Sequence, residues 1–274
     1  MTTTDPPTTA VRTNRRVGRD EGGSPIRVDV HLDRSAWSTH LAEQTLRGLR
    51  DDPPWIPPVW FYDEPGSAIF EEITRLEEYY PTEAEREILA THAAEIAETT
   101  GVETLAELGS GTSDKTALLL DAGEVAGTLK VFAPFDCSEE VLRRASAQIA
   151  ATRPDVAVHA VVGDFNEHLW ALPTEGACVL AFLGSTIGNL GPSQRKGVPG
   201  RGGFDAGCRR LVPARHRPGQ ARRRVLIAAY DDAAGVTARF NLNALSAMNK
   251  ELPGGLRPGW LLSTAPRGTT PIHA

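Results

Sequence analysis

At 274 residues, with 41% hydrophobic and 23% charged residues, the chain can bury a sizeable core and reads as one large domain or one and a half. The formal net charge is −6, but residues 195–224 hold ten of the 29 Lys and Arg and one of the 35 Asp and Glu, leaving 19 basic and 34 acidic residues, a net charge of −15, elsewhere. An acidic body repels polyphosphate, so nucleic acid is not an expected partner of the fold as a whole, and no apolar run approaches the roughly 20 residues that span a bilayer.

The chain opens MTTTDPPTTAVRTNRR, which lacks the apolar core of a signal peptide, and residues 1–24 read as a disordered tail. Cys137, Cys178 and Cys208 are odd in number and form no CxxC, which suggests reduced thiols and a cytoplasmic protein. Residues 25–100 read as a helical N-terminal part. SAWSTHLAEQTLRGL, from Ser35 to Leu49, has a serine N-cap candidate and helical spacing of Leu41, Leu46 and Leu49. The prolines of DDPPWIPPVWFYDEPG impose an extended joint, whose Trp55, Trp60, Phe61 and Tyr62 are expected to plug one domain against another. Two helices follow, from about Ser67 to Arg75 and from Thr82 to Glu98. The second opens with a capping-box arrangement of Thr82 and Glu85. EEYYP lies between them, where Tyr79 and Tyr80 read as core residues at a helix junction.

From residue 101 to 192 the rhythm becomes strand, helix, strand, helix, strand, strand: ETLAEL, KTALLLDAG, TLKVFAPFD, SEEVLRRASAQIAATRP, DVAVHAVVGDF and ACVLAFLGSTIGNL. That spacing implies parallel βαβ units, and right-handed crossovers then give an α/β, doubly wound sheet. LAELGSGTSDKT sits where such a sheet binds a nucleotide. Gly109 and Gly111 allow close backbone approach, although Asp114 stands where a dinucleotide fingerprint has its third glycine. Asp136 ends the second strand, Asp164 and Phe165 end the third, and Asn189 follows the fourth. Each alone is an ordinary cap or turn residue. Four strand ends offering polar groups to one crevice point to an adenosine-containing ligand without a pyrophosphate, and S-adenosylmethionine fits. The seven histidines form no metal-ligand cluster, so no metal is expected.

WFYDEPGSAIFEEITRLEEYYPTEAE, LAELGSGTSDKT, PFDCSEEVL, GDFNEHL, FLGSTIGNL and AYDDAAGVTARFN together resemble the histidine-specific, S-adenosylmethionine-dependent methyltransferases, those of ergothioneine biosynthesis most closely. The matches span about 35–190 and 225–251. The resemblance implies a Rossmann-like class I methyltransferase sheet beside a substrate domain, and Nα-methylation of L-histidine up to the trimethylammonium betaine by a cytoplasmic monomer. It implies Gly109, Gly111, Lys115, Asp136, Asp164 and Phe165 as cofactor-binding residues and Phe70, Tyr79, Asn189 and Tyr230 as substrate-binding ones. Tyr62 is the candidate catalytic residue, orienting the amine lone pair or relaying its proton. Read from the residues alone, Lys115 is equally a solvated residue at a helix start and Tyr230 a packing residue.

After GNL the pattern calls for a helix and a fifth strand. Residues 193–224 offer few large apolar side chains and contain Pro199, Pro213 and Pro218, so neither a long helix nor an inner strand is expected there. The segment is read as out of frame between two compensating shifts, because the resemblance resumes near Val225 at almost constant length. Residues 225–252 read as a helix of the substrate domain and 253–274 as an irregular tail. The fifth strand and the C-terminal part of the family, with its imidazole-recognising residues, are expected to be missing, and the chain to fold poorly or lack activity. A non-catalytic S-adenosylmethionine-binding remnant, a methyltransferase for another small amine, and nucleic-acid binding through the arginine-rich stretch remain open.

Overall fold

The computed structural model describes residues 14–19, 25–111, 115–165, 167–184, 186–189, 208–211 and 220–252. They fall into two compact units, one of residues 1–32, 91–183 and 192–212, the other of 33–90, 184–191 and 213–274. Among the described residues no helix is long and apolar enough to cross a membrane.

The first unit is built on a seven-stranded sheet in the order β1-β2-β5-β4-β3-β6-β7. Its strands are β1 Asn14–Arg19, β2 Pro25–Val30, β3 Thr104–Leu108, β4 Val131–Asp136, β5 Ala157–Val162, β6 Cys178–Ala181 and β7 Cys208–Leu211. All pairings are parallel except β1 with β2. The chain steps outward from β3 to β4 to β5, then crosses back to place β6 on the other side of β3. That reversal opens a crevice beyond the carboxyl ends of the strands. Every residue of β3 and of β6 is buried, the pattern of strands covered on both faces. The covering helices are α4 (Ala117–Val125) and α5 (Glu139–Thr152). On α5, Leu142, Ala145, Ser146, Ile149 and Ala150 are buried at helical spacing. Leu142 packs on Val28, Ala160 and Val162 of β2 and β5.

The second unit is helical: α1 (Arg34–Gly48), α2 (Glu64–Ile73), the first half of α3 (Pro81–Thr100), α6 (Gln220–Tyr230) and α7 (Val236–Glu251). Trp60 is buried here, with Leu41 of α1 and Ala244, Ala247 and Met248 of α7. Its indole N–H donates to Thr45 Oγ1 at 2.7 Å, and Thr45 in turn donates to the Leu41 carbonyl. Asp63 starts α2, accepting the Gly66 N–H at 2.9 Å and the Asn243 side-chain amide at 2.6 Å. Ahead of α7, buried Asp232 accepts the N–H groups of Val236 at 2.9 Å and Thr237 at 2.7 Å.

Several expectations are corrected. Residues 14–19 form β1 rather than part of a tail, because β2 offers an open edge on which any extended segment can pair. The fifth strand is present: β7 lies parallel to β6 inside the anomalous segment. A four-residue strand fits between Pro199 and Pro213, and an edge strand needs a partner on one side only. The edge of β6 is therefore covered. Cys178 and Cys208 are opposite each other in that pairing, with Cα atoms 4.4 Å apart, and form a disulfide; they are not reduced thiols, and Cys137 is the free cysteine. Asp33, not a serine, caps α1. Trp60 packs inside the helical unit, and Trp55 is exposed. Glu85 closes no capping box, since both its oxygens accept the Gly184 N–H at 2.9 Å. The tail expected at 253–274 lies outside the described residues.

Burial works to raise the Asp232 carboxyl, but the N–H groups of Thr237 and Val236 outweigh it and hold the pKa down at about 2. Its stabilisation is therefore present above the ordinary aspartate pKa of 3.8 and fades as pH falls through about 2. Asp232→Asn is expected to be less stable than wild type at pH 5, with the gap closing as pH is lowered to 2. Urea unfolding across that range checks it, and a gap independent of pH would count against the assignment.

Candidate active site

The crevice of the first unit is lined by the carboxyl ends of β3, β4 and β5. Leaving β3, the chain turns back over the end of β4: Gly109 and Ser110 donate their N–H groups to the Phe135 carbonyl, at 2.9 and 3.3 Å. Gly109 and Gly111 hold φ of 67° and 48°, left-handed values that glycine adopts without steric cost. The Ser110 hydroxyl donates to buried Glu107 at 2.7 Å and braces the turn from beneath. Asp136 then ties the loop to β4. One carboxylate oxygen accepts the Gly111 N–H at 3.3 Å and the other accepts the Ser138 N–H at 2.9 Å.

The Asp136 side chain keeps some exposed surface, yet its carboxyl is set deep among protein atoms. Burial pushes its pKa above the ordinary aspartate value against the pull of the Ser138 and Gly111 N–H groups. Burial, and next the adjacent Asp136, also push the Cys137 thiol well up, which makes it a poor nucleophile. Asp164 is buried at the end of β5. The Phe165 ring stacks on Phe135 with centroids 5.4 Å apart and meets Phe182 edge-on at 6.0 Å. Gly109, Gly111, Asp136, Asp164 and Phe165 are thus brought together, as the sequence expects. Lys115 is half-buried in the turn before α4. Residues 112–114 lie outside the described residues.

In the second unit the expected substrate residues meet in an aromatic cluster. Tyr62 contacts Phe70 edge-on at 5.5 Å, Phe70 contacts Tyr79 at 6.1 Å, and Tyr79 contacts Tyr230 at 5.7 Å. Phe240 joins Tyr62 and Phe70 at 5.5 and 5.7 Å, and Phe61 packs on Phe240 at 5.4 Å. Phe240 escapes the sequence reading because one aromatic in a helical stretch looks like core; only its place in AYDDAAGVTARFN flags it. Tyr62 and Tyr230 are each 41% exposed, whereas Tyr79 is buried. Burial, and then Tyr230 beside it, push the Tyr79 hydroxyl far above its ordinary pKa, so it stays protonated. The Tyr230 ring meets the Tyr79 ring edge-on. Asn189 ends the short turn Thr186–Asn189, and its side chain lies outside the described residues.

Histidine-specific, S-adenosylmethionine-dependent methyltransferases match this chain over residues 41–260. The chain belongs to that family. It is 48% identical to the histidine N-alpha-methyltransferase of Mycolicibacterium smegmatis over 224 residues, covering 77% of this chain and 66% of that protein. It is 44% identical over 230 residues to the histidine N-alpha-methyltransferase of Mycobacterium tuberculosis, covering 83% and 71%. Ergothioneine biosynthesis protein 1 of Neurospora crassa is 34% identical over 224 residues, which are 73% of this chain and 23% of the fungal protein. The chain therefore spans about two thirds of the length of its mycobacterial relatives.

The strand-end residues fit the adenosyl cofactor of this methyltransferase family. Among the described residues, a Cβ built on Gly111 would meet no atom within 4 Å, which leaves room for a ligand against this backbone. Asp136, already above its ordinary pKa through burial, is an acceptor that gains from hydroxyl donors, as ribose provides. Asp136→Asn removes the charge at constant size. It is expected to weaken S-adenosylhomocysteine binding by about 10- to 100-fold, the usual worth of a hydrogen bond to a charged group. Titration calorimetry checks this, and an unchanged affinity would remove Asp136 from the cofactor site.

Proposed function

We propose that this chain is an S-adenosylmethionine-dependent N-methyltransferase that methylates the α-amino group of L-histidine, up to trimethylation, in ergothioneine biosynthesis. The observation that carries the reading is the gathering of Tyr62, Phe70, Tyr79 and Tyr230, with Phe240, into one aromatic cluster. Each methylation removes an N–H donor and the last leaves a fixed positive charge with none. Such a group has no N–H to offer a hydrogen-bond acceptor but is well served by ring faces, which attract cations and tolerate methyls. Tyr and Phe on several elements give the amine room and few rigid donors.

When bound, the cofactor supplies an electrophilic methyl group on a sulfonium. Gly109, Gly111, Asp136, Asp164 and Phe165 hold its adenosine part and Lys115 takes part at the loop; the enzyme's contribution is mainly positioning. The amine attacks only when neutral, and an α-amino group has an ordinary pKa of about 7.7–8. Tyr62, whose ring is half-exposed and held edge-on by Phe70 and Phe240, orients the lone pair or relays the departing proton to water. Tyr79 is no base, since burial keeps its hydroxyl protonated; its ring packs edge-on against Tyr230. Asn189 pairs with the amino or carboxylate group of the amino acid. The reading includes a cytoplasmic monomer with no nucleic-acid or membrane partner.

Incubation of the chain with S-adenosylmethionine and L-histidine is expected to give mono-, di- and trimethylated histidine by mass spectrometry. Tyr62→Phe is expected to lower kcat by about 100-fold, the scale of a lost proton-transfer group. Product from another amine but not from histidine would redirect the substrate assignment. Cofactor binding without any product would reduce the chain to a binding remnant.

A further inference from the structure

The turn after β5 is closed twice by the same two residues. The His168 N–H donates to the Asp164 carbonyl at 2.9 Å. In return the Asp164 N–H donates to Nδ1 of the His168 ring at 3.1 Å. The second bond fixes the tautomer, because Nδ1 accepts only when it carries no proton. Each residue thereby satisfies the backbone of the other, and the intervening Phe165 is left projecting from a closed loop.

Two further observations show that the ring is held in place. A Cβ on Gly163 would lie 2.7 Å from the Phe135 ring and 2.8 Å from the His168 Cβ, so only glycine lets the His168 side chain fold back against the strand end. From the other side, His31 stacks on His168 with centroids 5.9 Å apart, and Trp170 meets His31 edge-on at 5.0 Å. His31 is itself anchored, its N–H donating to the Val162 carbonyl of β5 at 3.0 Å. Among the described residues its two buried ring nitrogens have no hydrogen-bond partner, and the ring lies over that of His168.

We propose that His168 is a positioning residue for the adenosyl group: its Nδ1 holds the Asp164 N–H and so fixes where the Asp164 carboxylate and the Phe165 ring meet the cofactor. The proposal rests on the reading that Asp164 and Phe165 contact the cofactor. The His168 ring acts through Asp164 and Phe165 and touches no reacting atom. Removing its acceptor takes from the turn the bond that ties the Asp164 N–H to the His168 ring.

The experiment compares three substitutions. His168→Asn puts an oxygen the same number of bonds from Cβ as Nδ1, His168→Gln displaces the polar group outward by one bond, and His168→Leu removes it. S-adenosylhomocysteine and adenosine should bind about tenfold more weakly to the Leu and Gln variants and within about threefold of wild type to the Asn variant. Affinity for L-histidine should be unmoved in all three, a split that general loss of structure would not produce. Should the Leu variant not fold, the Asn and Gln variants decide by themselves. Equal losses for Asn and Gln, or no loss for Gln, overturn the role of His168. A wild-type chain that fails to bind S-adenosylhomocysteine overturns the cofactor reading and this proposal with it.

Discussion

The crevice depends on a carboxylate caught between two backbone turns. Asp136 accepts from Gly111 on the loop leaving β3 and from Ser138 at the start of α5, so one side chain joins the ends of two adjacent strands. Neither loop can move far without leaving a charge among protein atoms with fewer donors, which is costly. The left-handed glycines follow from this constraint, because the loop must double back within two residues to reach the acid. So does the suitability of this acid for a polyhydroxylated ligand. Burial lifts this carboxyl above its usual pKa even with two N–H donors in place, and further hydroxyl donors would favour the charged form.

In the helical unit the candidate substrate residues are also packing residues. Tyr79 belongs to a buried cluster with Ile73, Ala229 and Val236, and Phe70 and Phe240 pack against it. The rings come from the segment before α2, from α2, the segment before α3, the end of α6 and the second turn of α7, so the cluster exists only when these five regions are assembled. Aromatic edges set against faces fix ring orientation as well as separation, because the ring quadrupole favours tilted contacts over flat stacking. Asp63 contributes to that assembly twice over. It caps α2, which carries Phe70, and it accepts from Asn243, one turn beyond Phe240 on α7.

The β3 to β6 region was legible because buried parallel strands and amphipathic helices leave different periods in the chain, and strand-end positions follow from topology alone. Gly109, Gly111, Asp136, Asp164 and Phe165 could be read for that reason. What escaped depends on partners remote in sequence. Glu85 sits at the correct spacing for a capping box with Thr82, yet it is taken by Gly184, 99 residues away. The Cys178–Cys208 pair follows from β6–β7 register, which no local pattern encodes. His168 looks like any exposed histidine of GDFNEHL until the turn closes on its ring. The candidate substrate tyrosines came from the resemblance, since tyrosines beside a helix junction carry no signal that separates site from core.

The strand inside the arginine-rich segment shows how little local apolarity an edge strand requires. β7 is four residues long, Cys208–Leu211, and its backbone pairs with β6 whatever its side chains are. Such a short ladder provides little packing of its own, and proline and glycine on either side add no stability to it. The disulfide changes this balance. Closing a loop of 30 residues restricts the unfolded chain by about 3–4 kcal/mol in the chain-entropy view, comparable to the loss of a large buried side chain. In a reducing setting that contribution would vanish and β7 would rest on its four-residue ladder alone. β6 would then be left with an open edge next to β3, the strand from which the glycine loop departs. The segment that carries none of the site's chemistry thus bears on the site through the sheet that positions it.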